Sequence, residues 1–294
     1  MEKRNVDVVV ISDLHLGTYG CHAKEIINYL KSISPNLLIL NGDIIDGWQF
    51  SKKYFPFSHL EVITEVFRMQ QNGTRVVYIT GNHDEFLRRY SDLNIGSFQL
   101  TDKLIIEIDG KLTWIFHGDV FDNTTKGGAK LLAKLGGKGY DILILMNRFI
   151  NYSLKKMGRE KVSFSKKIKN SVKKAISYIN DFEETATSLA IENKYDYVIC
   201  GHIHHPQQKT ITTKQGNVTY LNSGDWIENL TSLEYYDHSW HIYHYNEEEF
   251  KDAAPINENA KQELTVVKRD VDFFLNSLSK NPANENTLFH TGNR

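Results

Sequence analysis

Three short β-branched runs, residues 8–11, 37–40 and 76–80, alternate with two segments whose apolar residues recur at helical spacing, and this alternation constrains the chain most. A β-α-β-α-β order calls for parallel strands joined by helical crossovers, hence a layered α/β architecture. In the first crossover Ile26, Leu30 and Ile33 share a face, with Pro35 expected to end the helix; in the second Leu60, Ile63, Phe67 and Met69 do so before Asn72-Gly73. Residues 104–108 and 112–116 flank Asp109-Gly110, a pair that readily supplies the positive φ angles of a tight turn. An antiparallel hairpin is therefore expected beside the parallel strands. Residues 195–200, 218–221 and 240–245 read as further strands.

Composition narrows the class. The 294 residues carry 35 Lys and Arg against 36 Asp and Glu at 40% hydrophobic content, which excludes disorder throughout. The longest apolar run, residues 142–146, is far short of the roughly 18 residues that cross a bilayer. The N-terminal residues lack an apolar segment, so no secretory signal is read and a cytoplasmic location is expected. Cys21 and Cys200 are too few for a disulfide framework. Charge is unevenly spread: residues 124–175 hold twelve Lys and two Arg against Asp141 and Glu160 alone. Such a face suits phosphate, nucleic acid or lipid headgroups, or is simply a solvated helical surface. The expected organisation is one domain over residues 1–250, a helical cap inserted at 122–182, and a loosely ordered tail at 251–294 with a short helix.

The chemistry lies where these strands end. Strand one runs into Asp13-Leu14-His15, strand two into Gly42-Asp43, and strand three into Gly81-Asn82-His83-Asp84; the hairpin closes on His117-Gly118-Asp119, and the 195–200 strand on Gly201-His202-Ile203-His204. In open α/β sheets the carboxyl ends of the strands form the ligand-binding edge, so these groups are expected to converge. Asp13 with His15, and His202 with His204, have i, i+2 spacing, which in extended chain puts both side chains on one side. Carboxylate, imidazole and amide donors without thiolate suit divalent ions such as Mn²⁺, Fe²⁺ or Zn²⁺. Seven donors exceed what one tetrahedral ion takes, and two ions about 3.5–4 Å apart would use that number.

Taken singly these residues mean little, because a strand-end Asp is usually a turn former and a lone His rarely a ligand. Their ordered conjunction is what counts. Asp46, Asp119 and Asp225 are expected in supporting or turn roles, and His22, His59, His205, His238, His241 and His244 as surface or strand residues. Trp48, Trp114, Trp226 and Trp240 are read as core or pocket wall.

In this order the five motifs resemble the signature of the calcineurin-like metallophosphoesterases, over roughly residues 8–226. The run Gly42 to Trp48, the Glu85-Phe86-Leu87-Arg88 continuation and the basic insert resemble the UDP-2,3-diacylglucosamine pyrophosphohydrolase group of lipid A biosynthesis. The resemblance implies a four-layer α-β-β-α sandwich, with Asp13, His15, Asp43 and His204 holding one ion and Asp43, Asn82, His117 and His202 a second. It further implies a hydroxide nucleophile made available by two divalent ions, Mn²⁺ foremost, and a non-ligand His83, oriented by Asp84, that serves the leaving oxygen. That group carries Arg where this chain has His83, so the match is to a related branch; Arg is a fixed charge, whereas His also donates a proton.

The insert fits an amphiphilic substrate in its own right. Residues 142–150 offer an apolar slot for an acyl chain, and Lys166, Lys167, Lys169, Lys173 and Lys174 offer contacts for a diphosphate or for an anionic membrane surface. The leading reading is cleavage of the UDP-2,3-diacylglucosamine pyrophosphate to UMP and a lipid 1-phosphate. The others are a soluble phosphodiesterase or phosphatase acting on nucleotides or phosphoproteins, and a metallophosphoesterase scaffold used only to bind protein. Scaffolds of the last kind typically lose ligands, and none is missing here. No nucleic-acid partner is expected, since no interleaved aromatic and basic residues surround the four tryptophans; a nuclease is the further reading that the basic segment alone offers.

Overall fold

The computed structural model of the chain describes residues 3–48, 54–121 and 166–251, with backbone alone for 166–176. The expected apolar slot at 142–150, most of the 122–182 insert, tail residues 252–294 and the side chains of Lys166, Lys167, Lys169, Lys173 and Lys174 lie outside this description. No helix among the described residues is long and apolar enough to cross a membrane.

Among the described residues twelve strands form two sheets. In chain order the elements are β1 (Arg4–Ile11), α1 (Ala23–Ser32), β2 (Ile33–Asn41), α2 (Phe57–Gln71), β3 (Arg75–Ile79), β4 (Leu93–Ile95), β5 (Phe98–Thr101), β6 (Lys103–Ile108) and β7 (Lys111–Phe116). They continue as α3 (Lys166–Glu192), β8 (Tyr197–Cys200), β9 (Gln207–Thr212), β10 (Asn217–Asn222), β11 (Thr231–Tyr236) and β12 (Ser239–His244). The first sheet has the order β12-β11-β1-β2-β3-β5-β4 and the second β6-β7-β8-β10-β9. As the alternation requires, β1, β2 and β3 are parallel, with Val10 beside Ile39 and Ile39 beside Val77. The hairpin turns on Asp109 and Gly110 at φ 50° and 74°.

Both faces of the parallel strands are apolar because both are covered. Val8, Val10, Ile39, Val77 and Ile79 meet Leu104, Ile115, Ile199 and Leu221 of the second sheet in one buried cluster. Helices α1 and α2 pack on β2 and β3 from the other side, burying Ile26, Ile27, Leu30, Leu60 and Val62. Phe182, Ala186 and Ala190 of α3 pack against Val198, Cys200 and Tyr220 on the outer face of the second sheet. The result is a four-layer α-β-β-α sandwich.

Three local expectations are corrected. Pro35 does not end a helix: α1 stops at Ser32 and Pro35 lies inside β2 beside Val6, since a proline drives the residue before it into extended backbone. Phe67 is 54% exposed, and the buried side of α2 runs through Leu60, Val62, Glu65 and Met69 instead. Four strands, β4, β5, β9 and β11, were not evident in the sequence. The last is almost wholly buried although it carries Glu234, because Arg4 donates two bonds to that carboxylate at 2.8 and 2.9 Å and the Tyr29 hydroxyl a third at 3.0 Å.

Candidate metal centre

The loops that follow β1, β2, β3, β7 and β8 open at one rim, and Asp43 stands at their centre. Its Oδ2 lies 3.3 Å from His117 Nε2 and 4.0 Å from both His15 Nε2 and His83 Nε2. Asp13 Oδ1 lies 3.1 Å from His204 Nε2 and 3.9 Å from His15 Nε2. Three groups, Asp13 with His15 and His204, His15 with Asp43 and His83, and Asp43 with His117 and His202, each bring their donor atoms within 4.8 Å of one another. Asn82 sits in the same turn as His83, whose backbone N–H donates to Asp43 Oδ1 at 2.8 Å.

Convergence does not arise from extended backbone, contrary to the i, i+2 expectation. Asp13, His15, Asp43, His202 and His204 all have φ between 49° and 67°, in the left-handed region. Non-glycine residues are rarely held there and cluster at functional sites when they are. The strain is held by ladder-like bonds between neighbouring loops: Asp13 N–H to the Gly42 carbonyl at 3.0 Å, His15 N–H to that of Asp43 at 2.9 Å, and Gly201 N–H to that of His117 at 2.9 Å. The approach leaves no room for a side chain at Gly42, where a Cβ would overlap the His117 ring, or at Gly201, where it would fall 2.7 Å from Asp13 Oδ2.

Supporting groups aim the imidazoles. Asp46 Oδ2 lies 3.4 Å from His15 Nδ1 and 3.0 Å from His83 Nδ1, so one carboxylate serves two rings. The Asn41 carbonyl lies 2.9 Å from His117 Nδ1, and Asp225 Oδ2 lies 3.9 Å from His204 Nδ1. The expected pairing of His83 with Asp84 is thereby corrected. Asp84 points inward, accepting from Tyr78 Oη at 2.6 Å and from the backbone N–H groups of Gly81 and Ile44 at 2.5 and 2.9 Å. It ties the third loop to the second and does not touch the His83 ring. Asp119 takes Arg88 Nη2 at 2.9 Å, and Asp225 accepts the N–H groups of the turn that follows it.

Electrostatics match this packing. Burial pushes the Asp13 carboxyl up, but His204 and His117 outweigh it and hold the group down at about 2. Burial pushes His204 down, but Asp13 outweighs that and raises it to about 9. Asp43 is likewise held low against its burial by His117, and His117 high against its burial by Asp43. Asp84 rises to about 6 through burial and the neighbouring Asp43 charge. Positive charge is what the carboxylates of this rim seek.

Whether a cation fits is decided by atoms without partners. Asp13 Oδ1, His15 Nε2, Asn82 Oδ1 and His117 Nε2 are buried and have no hydrogen-bond partner among the described residues. Buried polar atoms are normally satisfied, and four such orphans within one set of seven donors mark a place for something electropositive. The set is oxygen and imidazole nitrogen only, which fits Mn²⁺, Fe²⁺ or Zn²⁺.

Among the remaining sequence candidates, Trp48 is 61% exposed and lays its ring 4.1 Å from that of His83, as pocket wall, while Trp226 and Trp240 are core. His59 is not a surface residue: buried on α2, it accepts the Gly17 N–H at 2.8 Å, and burial holds its pKa down at about 4. It thus steadies the loop that carries Asp13 and His15. Nothing in its sequence surroundings signalled that.

The chain is similar to several known proteins. The chain is 25% identical over 250 residues to the UDP-2,3-diacylglucosamine hydrolase of Aliivibrio fischeri (strain MJ11), covering 83% of this chain and 99% of that one. It is 24% identical over 221 residues to the enzyme of the same name in Blochmanniella pennsylvanica (strain BPEN), covering 72% and 85%. A solved archaeal phosphodiesterase is similar with a TM-score of 0.38 at 14% identity, over 81% of this chain and 98% of that one. The model of the calcineurin-like phosphoesterases matches residues 6–206, a span that takes in all five strand-end motifs. With that match beside a rim of converging Asp, Asn and His donors, the chain belongs to the calcineurin-like phosphoesterase family and is a hydrolase of phosphate esters.

Proposed function

We propose that the centre holds two divalent cations and cleaves the pyrophosphate of UDP-2,3-diacylglucosamine, giving UMP and 2,3-diacylglucosamine 1-phosphate. The observation that carries this reading is the set of four orphaned donor atoms around Asp43 and Asp13. One ion is assigned to Asp13, His15, Asp43 and His204, the other to Asp43, Asn82, His117 and His202, with Asp43 shared. When bound, such a pair supplies Lewis acidity at the phosphate oxygens and lowers the pKa of water toward neutrality. The protein's part is to keep seven donors rigid, which the left-handed loops and their mutual backbone bonds do. His83 holds the proton for the leaving oxygen: the Asp46 carboxylate lies 3.0 Å from its Nδ1, its Nε2 lies 4.0 Å from Asp43 Oδ2 at the rim, and Trp48 covers one side of the ring.

The substrate is supported by the relatives' names and by the insert, whose apolar run and lysines suit an acyl chain beside a diphosphate. In the proposed organisation residues 122–182 form the cap of a domain spanning 1–250, Lys166, Lys167, Lys169, Lys173 and Lys174 contact the substrate, and the cap meets the cytoplasmic face of the membrane. The test offers purified protein with Mn²⁺ both UDP-2,3-diacylglucosamine and small phosphodiesters, with UMP release followed. Faster turnover of the lipid nucleotide is expected. Preference for the small diesters would contradict the lipid reading.

A further inference from the structure

Four imidazoles at the centre turn one nitrogen toward a protein oxygen 2.9–3.9 Å away. For His15, His83, His117 and His204 that nitrogen is Nδ1, and the partner belongs to a loop or strand end of the sheets. His202 departs from the pattern. Its Nε2 lies 3.4 Å from the hydroxyl of Tyr178, on α3. One turn further along the same helix, the fully buried Phe182 places its ring 6.3 Å from that of His202. A Cβ at Gly118 would fall 2.6 Å from the Phe182 ring, so the helix is seated tightly against the loop that also carries His117. Residues four apart on a helix share a face, and this face is turned to His202.

We infer that Tyr178 is a positioning residue for His202: its hydroxyl oxygen accepts the Nε2 proton, leaving the Nδ1 lone pair for the cation shared with Asp43 and His117. The inference deepens the proposed function and rests on it for the role of His202 as a ligand. A neutral imidazole carries its proton on one nitrogen or the other, and only a fixed hydrogen bond at the far nitrogen holds the near one ready to bind. Tyr178 comes from α3, whose helix runs unbroken from Lys166 and so connects the lysine-rich segment to a ligand of the centre.

Tyr178→Phe keeps the ring and its packing and removes only the hydroxyl. In the metal-free protein, ¹⁵N shifts of the His202 imidazole are expected to place the proton on Nε2 in the wild type and to show a mixture of both forms in the variant. Equal populations in the two proteins, or a wild-type proton on Nδ1, would overturn the assignment. In a Mn²⁺ titration the variant should weaken one equivalent by about 10–100-fold and leave the other unchanged; loss at neither or equal loss at both counts against it. A wild type that takes up a single ion, or releases no UMP, sinks the proposed function instead, and the tautomer measurement still decides Tyr178.

Discussion

Asp13 and His204 hold each other charged, and of the two a cation must undo the charge of His204 alone. His204 has its pKa raised from 6.5 to about 9, so in the metal-free protein its pairing is fully present below about 6.5 and lost as pH rises through 9. Asp13, lowered from 3.8 to about 2, contributes above 3.8 and loses its contribution as pH falls toward 2. A ligand imidazole must give up its proton, so Mn²⁺ uptake at pH 7 should release protons and apparent affinity should climb between pH 7 and 9. Calorimetry in buffers of different ionisation enthalpy reads that release, and uptake without it would contradict the charge assignment. Asp46 makes a second prediction. Because one carboxylate aims both His15 and His83, Asp46→Asn should lower turnover by about 10–100-fold and weaken Mn²⁺ binding together. Unchanged metal affinity would show that His15 does not depend on it. At this scale the donors were legible because each closes an apolar run, whereas their partners were not. Asp84 follows His83 in the chain and was the natural choice as orienter, but a neighbour along the backbone points the opposite way, and the partner comes from a different loop. Tyr178 is embedded in an amphipathic helix whose pattern reports only its packing face.

Among the elements, the parallel strands were evident because burial on both faces leaves an unbroken apolar run, as in Val8 to Ile11. β11 escaped notice for the opposite reason: its buried Thr231, Ser232 and Glu234 look like a surface strand until the Ser223 carbonyl is seen to satisfy the first, Tyr29 the second, and Arg4 with Tyr29 the third. β9 alternates half-buried and exposed positions at a sheet edge and carries too little apolar signal. The loops matter most to function. At Gly201 a methyl group would meet Asp13 Oδ2 and Ser12 Oγ, both at 2.7 Å and both buried. Gly201→Ala is therefore expected to cost about 1–3 kcal/mol and to weaken Mn²⁺ binding. Thermal unfolding with and without Mn²⁺ checks it, and an unchanged midpoint would mean that the loops are less tightly seated than their contacts imply.

Over the whole molecule, charge is divided between an acidic, metal-seeking rim and a lysine-rich segment leading into α3. Lys173→Glu combined with Lys174→Glu should reduce turnover of the lipid diphosphate more than that of a small chromogenic phosphodiester; equal losses would show that these lysines do not read the lipid substrate. The sandwich itself serves to bring five strand ends to one place, and the account stands on what Asp43 does there. Electron paramagnetic resonance of the Mn²⁺-loaded protein tests this most directly. Two ions per chain with a spin-coupled spectrum, reduced in Asp43→Ala to at most one uncoupled ion, is the predicted result; a single uncoupled ion in the wild type, or coupling that survives the loss of Asp43, would contradict it.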